Sequence, residues 1–200
     1  QVFELFATVM SPSWHLMLLE SKDYDTASTA QQLRILGLQL QRDPIFFMNF
    51  AELEGFKVIR SSLSGRSLPM CYILPLIALA FRIPMNQMSV PHCIDNGNKV
   101  AKLLELEEAT GPTDTLLPII MVLIDGLACC SRFVVEQNRI VIDVISICLS
   151  DAFEKNASFR HLMQNEVAID ALSRAFLTCT QAIDDAVLEQ DTKCNPGEGF

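Results

Sequence analysis

Several features that usually accompany catalysis are missing from this sequence. Only three histidines occur among its 200 residues. The eight glycines stand singly, so the chain has neither the glycine-rich loop that cradles nucleotide phosphates nor the dinucleotide-binding fingerprint. The motifs therefore give no support to a nucleotide-dependent enzyme.

A surplus of positive charge is missing as well. The formal net charge is −9, and charged residues make up only 20% of the chain. Lysines and arginines are scattered and form no stripe that could neutralise a row of phosphates. We therefore expect no nucleic-acid partner and no electrostatic attachment to anionic lipid.

Long uninterrupted apolar runs are also absent. The longest run without a charge, Ser67 to Phe81, is shorter than the ~20 residues that a membrane-spanning helix needs, and it contains Pro69 and Pro75. A second candidate, Thr115 to Ser131, is broken by Asp125. We interpret both runs as core helices.

The cysteines do not form the pattern of a disulfide scaffold. Their number is seven, which is odd. A free buried cysteine behaves as a small hydrophobic residue, so the pattern favours a reducing, cytoplasmic compartment. Four of them lie inside apolar helical runs: Cys71, Cys129, Cys148 and Cys179.

A histidine, a thiol and a carboxylate come together at His92, Cys93 and Asp95. A cysteine nucleophile needs a base within hydrogen-bond reach and a third group that orients the base. Neighbours in one loop rarely reach that geometry, and no oxyanion site adjoins them. We interpret the cluster as an ordinary loop and predict that the protein is not an enzyme.

The sequence offers no metal site either. Zinc usually takes four ligands in paired spacing, whereas Cys129 and Cys130 are adjacent and would point about 100° apart on a helix. The histidines are far apart. We therefore assign no catalytic, cofactor-binding or metal-binding residue. We interpret Glu105, Glu107 and Glu108 as a solvated helix face, and we place Asp143 and Asp151 on the polar side of their helix.

What the sequence does contain is a series of apolar helical stretches. Half of the residues are hydrophobic, and they recur at helical spacing in stretches of roughly 10–20 residues. Ser11-Pro12 and Asp43-Pro44 have the cap-then-proline order of a helix start. The predicted helices cover about 12–20, 26–42, 44–53, 56–65, 68–83, 99–109, 114–131, 139–154 and 166–180, with a loop over 85–97. We expect Pro75 to interrupt the helix over 68–83 and Pro84 to end it.

The stretch after position 138 is rich in isoleucine and valine, which are typical of a strand. Its polar residues decide for a helix. Their spacing of four, three, four and four places them on one helical face, whereas a strand would alternate. These residues are Arg139, Asp143, Ser146, Ser150 and Glu154.

The apolar spacing also predicts which side chains form the core. In the second helix these are Ala30, Leu33, Leu36 and Leu40. In the last helix the inward positions are predicted to be Val167, Ala171, Leu172, Ala175 and Phe176. Glycines inside helices suggest close helix–helix approach at Gly37 and Gly126, and we expect core positions for the aromatic residues Trp14, Phe46, Phe47, Phe50 and Phe56.

Two stretches of the chain echo each other. Residues 43–63 and 156–172 each begin with a capped short helix that bears a phenylalanine and leads into a longer apolar helix, and they lie 113 residues apart. That distance is about three units of the ~40-residue armadillo and HEAT repeats. We therefore predict an all-α, armadillo/HEAT-like α-solenoid of antiparallel helix pairs over residues 1–183.

The two ends of the chain carry further expectations. The apolar pattern already begins at Val2 and Phe3, which suggests a segment of a longer polypeptide. Residues 184–200 carry five acidic residues against Lys193, and Pro196 and Gly197 follow. We predict that they form an acidic, disordered tail.

Three segments resemble a known family. Ala30 to Leu40 (AQQLRILGLQL), Phe50 to Phe56 (FAELEGF) and Asn156 to Arg160 (NASFR) are similar to the helical region upstream of the BEACH domain in proteins of the neurobeachin, Alfy and lysosomal-trafficking-regulator type. The resemblance implies an armadillo-like scaffold segment in vesicle trafficking or selective autophagy, cytoplasmic and peripheral to endomembranes. Its partners would be proteins and further repeats of the same parent chain. No functional residue carries over.

Two other readings stay open at this point. One is a different helical interaction module, in which a partner covers the excess apolar surface. The other is a helical carrier of a lipid or small molecule that uses the apolar interior as a pocket.

Overall fold

The computed structural model describes residues 10–21, 25–65, 68–85, 114–131 and 136–194. Within these ranges no strand occurs, which confirms the all-α prediction. The helices are α1 (Pro12–Glu20), α2 (Thr26–Arg42), α3 (Pro44–Glu52), α4 (Gly55–Leu63), α5 (Met70–Ala80), α6 (Leu117–Ser131), α7 (Glu136–Lys155), α8 (Ala157–Leu162) and α9 (Glu166–Cys194), with a 3₁₀ turn at Asp114–Leu116 before α6.

Local capping explains where several helices begin. The Asp43 carboxylate accepts the backbone N–H of Phe46 at 3.1 Å at the start of α3. The Asn156 side chain accepts the N–H of Phe159 at 2.9 Å at the start of α8. Each cap satisfies a helix N–H that has no intrahelical partner, and Asp25 does the same for α2. The helix starts predicted at Pro12 and Pro44 are confirmed.

The core is centred on α6, which packs against α4, α5, α7 and α9. Six consecutive residues of α6, Ile119 to Ile124, are fully buried, and so is nearly every residue of α5 from Ile73 to Ala80. Neighbouring helices surround α5 and α6, so side chains on every side of these two helices are buried. The predicted core face of α2, at Ala30, Leu33, Leu36 and Leu40, is confirmed.

Pro75 does not interrupt its helix. We predicted a break there, but α5 runs continuously from Met70 to Ala80 with Pro75 inside it. A proline inside a helix removes one hydrogen bond and costs about 3 kcal/mol. Burial of the surrounding side chains outweighs that cost, since each fully buried aliphatic side chain contributes about 1.5–3 kcal/mol.

The polar stripe of α7 is exposed as predicted. All five of its residues, from Arg139 to Glu154, face solvent, while Val144, Ile145 and Cys148 are buried. The isoleucines and valines therefore belong to a helix, and the strand interpretation is rejected.

The inward face of α9 differs from the prediction. Ala171 and Ala175 are buried as expected, together with Ala168, but Val167, Leu172 and Phe176 are exposed. Alanines lie on the buried face of a helix that packs against α6, and small side chains let two helix backbones approach closely. The large apolar residues of α9 consequently lie on the side away from this contact.

The other predictions for the ends and loops have mixed outcomes. The helical backbone of α9 continues to Cys194, so residues 184–194, predicted as disordered tail, are helical. The domain boundary at position 183 itself stays a prediction. The loop predicted over 85–97 lies outside the described residues from position 86 onward. The helix predicted over 99–109 and residues 195–200 lie outside them as well.

Both helical glycines lie where another side chain approaches closely. A Cβ at Gly37 would overlap the terminal methyl of Met85, and a Cβ at Gly126 would lie 3.2 Å from Leu68 Cδ1. The glycines therefore make room for the chain on either side of α5.

The aromatic residues divide between core and surface. Phe46, Phe50 and Phe56 are buried and in ring contact, and Phe47 is half-buried against Phe56. Trp14 is 51% exposed, contrary to the prediction of a core position. Only His15 and Leu19 of helix α1 are buried, so Trp14 lies on the part of the helix that the core does not cover.

Candidate functional site

Of the residues weighed from sequence for a catalytic or metal site, Cys129 and Cys130 lie in α6. His92, Cys93 and Asp95 lie outside the described residues. Across the described ranges no group of three or more histidine, cysteine, aspartate or glutamate side chains could hold a metal ion. None of the helices in those ranges is long and apolar enough to cross a bilayer.

The cysteine side chains that the structure describes form no disulfides; they are at 71, 129, 130, 148 and 179. Burial raises the pKa of the Cys71 thiol above its ordinary value. A raised pKa disfavours the thiolate, which is the nucleophilic form. Cys71 therefore has none of the activation expected of a catalytic cysteine.

His15 takes part in a buried polar network between α1 and α2. Its ring Nε2 is hydrogen-bonded to Gln39 Oε1. Gln32 Nε2 donates to the His15 carbonyl at 3.0 Å, and Gln39 Nε2 donates to the Met10 carbonyl at 3.0 Å. The ring Nδ1 has no hydrogen-bond partner within the described part of the chain. Because no acceptor is there for an Nδ1–H while Gln39 Oε1 accepts from Nε2, the proton of the neutral ring is on Nε2.

Burial lowers the pKa of His15, and the hydrogen bond to Gln39 opposes this only in part. The imidazole is therefore neutral at pH 7. A neutral ring in edge contact with Phe46, 5.9 Å between ring centroids, has a structural role in joining helices.

A groove of about 620 Å³ lies between α2, α3 and the end of α5. We call it the α2–α3–α5 groove. Its interior is mainly apolar and its rim carries two arginines. Its interior is lined by Leu79, Met85 and Leu116, and its rim by Phe47, Met48 and Arg82, with Gln41 and Arg42 from α2.

Gln41 holds one wall of this groove in place. Its Nε2 donates to the carbonyls of Ala78 and Ile83, at 3.3 and 2.7 Å. Its Oε1 accepts the backbone N–H of Met85 at 3.0 Å. The Gln41 side chain thus forms hydrogen bonds with backbone groups on both sides of the bend after α5, where backbone groups lack partners within the helix.

Arg82 has the most unusual backbone at the groove. It follows the C-cap of α5 with φ of 53°, in the left-handed region that favours glycine. Its guanidinium lies over the Phe47 ring, 5.4 Å from the ring centroid. The charged group is therefore fixed at the rim by a backbone turn on one side and an aromatic face on the other.

A second exposed apolar feature lies on α9. Ile169, Leu172 and Phe176 occupy positions i, i+3 and i+7, which fall on one side of a helix. They are 51%, 37% and 69% exposed. We call these three residues the α9 ridge. Beside the ridge on the exposed side of α9, Asp170 forms a salt bridge with Arg174 at 2.8 Å. Charged side chains therefore border the apolar ridge.

Sequence reasoning missed the groove and misplaced the ridge. The residues of the groove come from three separate parts of the chain, so no local motif contains them. One signal was present: Ile83 directly precedes Pro84, and the residue before a proline is disfavoured in the helical conformation, so an end of the helix near Arg82 was foreseeable. Two of the three ridge residues, Leu172 and Phe176, were assigned to the core.

Comparison with known proteins identifies no relative. No protein family model matches the chain, no curated protein matches it, and no solved structure matches its fold.

Proposed function

We propose that this chain is a noncatalytic α-solenoid segment that acts as a protein-interaction scaffold. The resemblance of its sequence to the armadillo-like region of BEACH-domain proteins supports this assignment. On that basis its setting would be a large cytoplasmic protein in vesicle trafficking or selective autophagy, at the surface of endomembranes. Its partners would be proteins and additional helical repeats.

Two similar three-helix units support the solenoid part of the proposal. In each unit a long helix is followed by a short one with an Asp or Asn cap, and then by a third helix: α2–α3–α4 and α7–α8–α9. Phe46 and Phe159 are the third residues of the short helices, and both are buried. Helix caps and buried phenylalanines at equivalent positions are typical of repeated helical units.

The α9 ridge is the single observation that carries the interaction role. In the first unit, the apolar residues Phe56, Ile59 and Leu63 of α4 are covered, and α4 packs against α1 and α6. In the second unit, α9 buries its alanines against α6 and leaves the ridge exposed. An apolar i, i+3, i+7 stripe is the surface against which another amphipathic helix packs.

Photo-crosslinking tests this proposal. A photoreactive phenylalanine analogue at position 176 should cross-link, in cells, to helical segments of specific proteins. The matched control places the same analogue at Met17, which is 57% exposed on α1. Ile169→Ser combined with Leu172→Ser should abolish the products from position 176. Identical products from both positions, or products unaffected by these substitutions, would contradict a docking role for the ridge.

One observation favours a second candidate, a carrier of a small hydrophobic molecule. The groove volume of about 620 Å³ lies within the range of ligand pockets, ≈ 300–1,000 Å³. Native mass spectrometry of the purified protein separates the candidates. A carrier should retain a lipid-sized mass in stoichiometric amount, whereas a scaffold should show the mass of the chain alone.

A further inference from the structure

We propose that the α2–α3–α5 groove binds an acidic, amphipathic peptide segment of a partner protein, with Arg82 receiving a carboxylate of that peptide. This inference rests on the proposed role in protein interaction and names the chemistry of one partner. It concerns helices other than the α9 ridge, so the two surfaces can be tested separately.

The backbone of Arg82 is the first reason. The left-handed conformation costs a non-glycine residue about 1–2 kcal/mol, and glycine or asparagine usually occupies this position after a helix. An arginine in such a conformation points to a role for its side chain at this place. The contact with Phe47 then orients the guanidinium at the rim of the groove.

The charge of Arg82 is the second reason. Its guanidinium forms no ion pair with any carboxylate of the described residues, although the chain carries 24 acidic residues. This positive charge is opposite in sign to the net charge of the whole chain, −9. An arginine fork matches a carboxylate with two parallel hydrogen bonds.

The apolar lining is the third reason. Leu79, Met85 and Leu116 are buried, and they offer the groove an aliphatic interior. Met48 at the rim is 61% exposed, and Ile45, one helical turn away on α3, is also exposed. An apolar side chain of the ligand would therefore be held inside the groove while its acidic neighbour contacts Arg82. Methionine at such a surface adapts to differently shaped partners.

The open rim favours a peptide over a small amphiphile. Arg42, Pro44, Met48 and Arg82 are all solvent-exposed along one side of the groove. A pocket for a fatty acid or other small ligand usually buries most of the ligand surface. A peptide, in contrast, can place two or three side chains in an open groove and leave its backbone in water.

The probe for this proposal is a fluorescein-labelled peptide of three Glu-Glu-Leu-Leu repeats, and its controls replace every Glu with Gln or with Lys. Binding is measured by fluorescence anisotropy with the full 200-residue chain. The Glu peptide should bind at least about tenfold more tightly than the Gln peptide, because a charge-assisted hydrogen bond is lost. The Lys peptide should not bind. Equal affinity for the Glu and Gln peptides would overturn the proposal.

The decisive variant is Arg82→Gly, because glycine suits the left-handed backbone. It should melt within about 4 °C of the original chain, yet bind the Glu peptide about tenfold more weakly. Arg82→Lys keeps the charge without the fork and should give an intermediate affinity. Arg174→Ala removes the same charge from α9 and should bind normally. Unchanged binding by a folded Arg82→Gly protein would refute the assignment of Arg82.

Two further arms identify other occupants. If oleate binds stoichiometrically and displaces the peptide, the groove is a site for a small amphiphile, and the proposal is overturned. Loss of binding in the Ile169→Ser, Leu172→Ser protein would place the peptide on the α9 ridge, which overturns the groove assignment and leaves the proposed function intact. If the peptide does not bind while the cross-links from position 176 persist, the scaffold role stands and the groove proposal fails.

Discussion

His15 and Gln39 form a buried side-chain hydrogen bond that joins α1 to α2. The bond lies against Phe46 of α3, so three helices meet at one polar contact in an apolar environment. This arrangement makes the protonation state of a single imidazole part of the stability of the fold.

The first prediction concerns pH. Burial lowers the pKa of His15 from its ordinary value of 6.5, so the unfolded state binds this proton more readily than the folded state. The contribution of neutral His15 is therefore complete above about pH 6.5 and is lost progressively as the pH falls below that value. Urea unfolding at pH 7.5 and 5.5 should show lower stability at pH 5.5.

A pair of variants isolates the histidine. His15→Gln should reduce the loss of stability between these two pH values. His161→Gln, at an exposed position on α8, should leave the loss unchanged. An undiminished pH dependence in the His15 variant would show that other groups cause it.

The second prediction concerns helix capping. Asn156→Ala should lower the free energy of unfolding by about 1 kcal/mol, because the N–H of Phe159 loses its acceptor at the start of α8. Asn49→Ala, at an exposed site inside α3, is the control and should be neutral or slightly stabilising, since alanine has the higher helix propensity. Chemical denaturation measures both. A neutral Asn156→Ala would mean that the cap adds nothing.

The third prediction concerns two glycines with different neighbours. A Cβ at Gly55 would overlap the buried ring of Phe50, which has no space to move, so Gly55→Ala should destabilise by about 1–3 kcal/mol. At Gly37 the overlapping atom is the flexible end of Met85. Gly37→Ala should therefore stay within about 1 kcal/mol of the original chain, because the gain in helix propensity offsets the shift of Met85. Equal losses in thermal melts would contradict this distinction.

The fourth prediction tests the orientation of α7. Ile145→Asp should destabilise severely, by more than about 3 kcal/mol, because it places an unpaired charge at a fully buried position. Ser146→Asp, on the exposed stripe next to it, should change stability by about 0.5 kcal/mol or less. Melting temperatures of the two proteins measure the difference. Similar temperatures would reject the helical assignment of this stretch.

The fifth prediction tests which face of α9 is buried. Phe176→Ala should leave stability within about 0.5 kcal/mol, because the ring is 69% exposed. Ala171→Leu should cost about 1–3 kcal/mol by crowding the contact with α6. The opposite ranking in urea denaturation would restore the core position that the sequence predicted for Phe176.

Helices that depend on local interactions could be predicted from the sequence. The Asp43 cap and Pro44 determine the start of α3 within four residues of chain. The stripe from Arg139 to Glu154 defines α7 and its buried face, because five polar residues share one helical side. Both signals act within one or two turns, so they need no knowledge of the rest of the fold.

The face of α9 could not be predicted in the same way. This helix has an alanine face and a face of larger apolar residues, and hydrophobicity alone selects the larger ones. Close approach to α6 selects the alanines instead. The choice depends on the space available beside another helix, and periodicity contains no information about that space.

The groove likewise required the assembled helices. Phe47 and Arg82 are 35 positions apart, and the fold places the guanidinium of one over the ring of the other. The sequence by itself determined the helical class, most helix limits and the polar stripe of α7, because these follow from hydrogen bonds and spacing along the chain. Tertiary structure alone decided the exposed ridge, the bend at Arg82 and the groove, because each depends on which surfaces distant helices bury against one another.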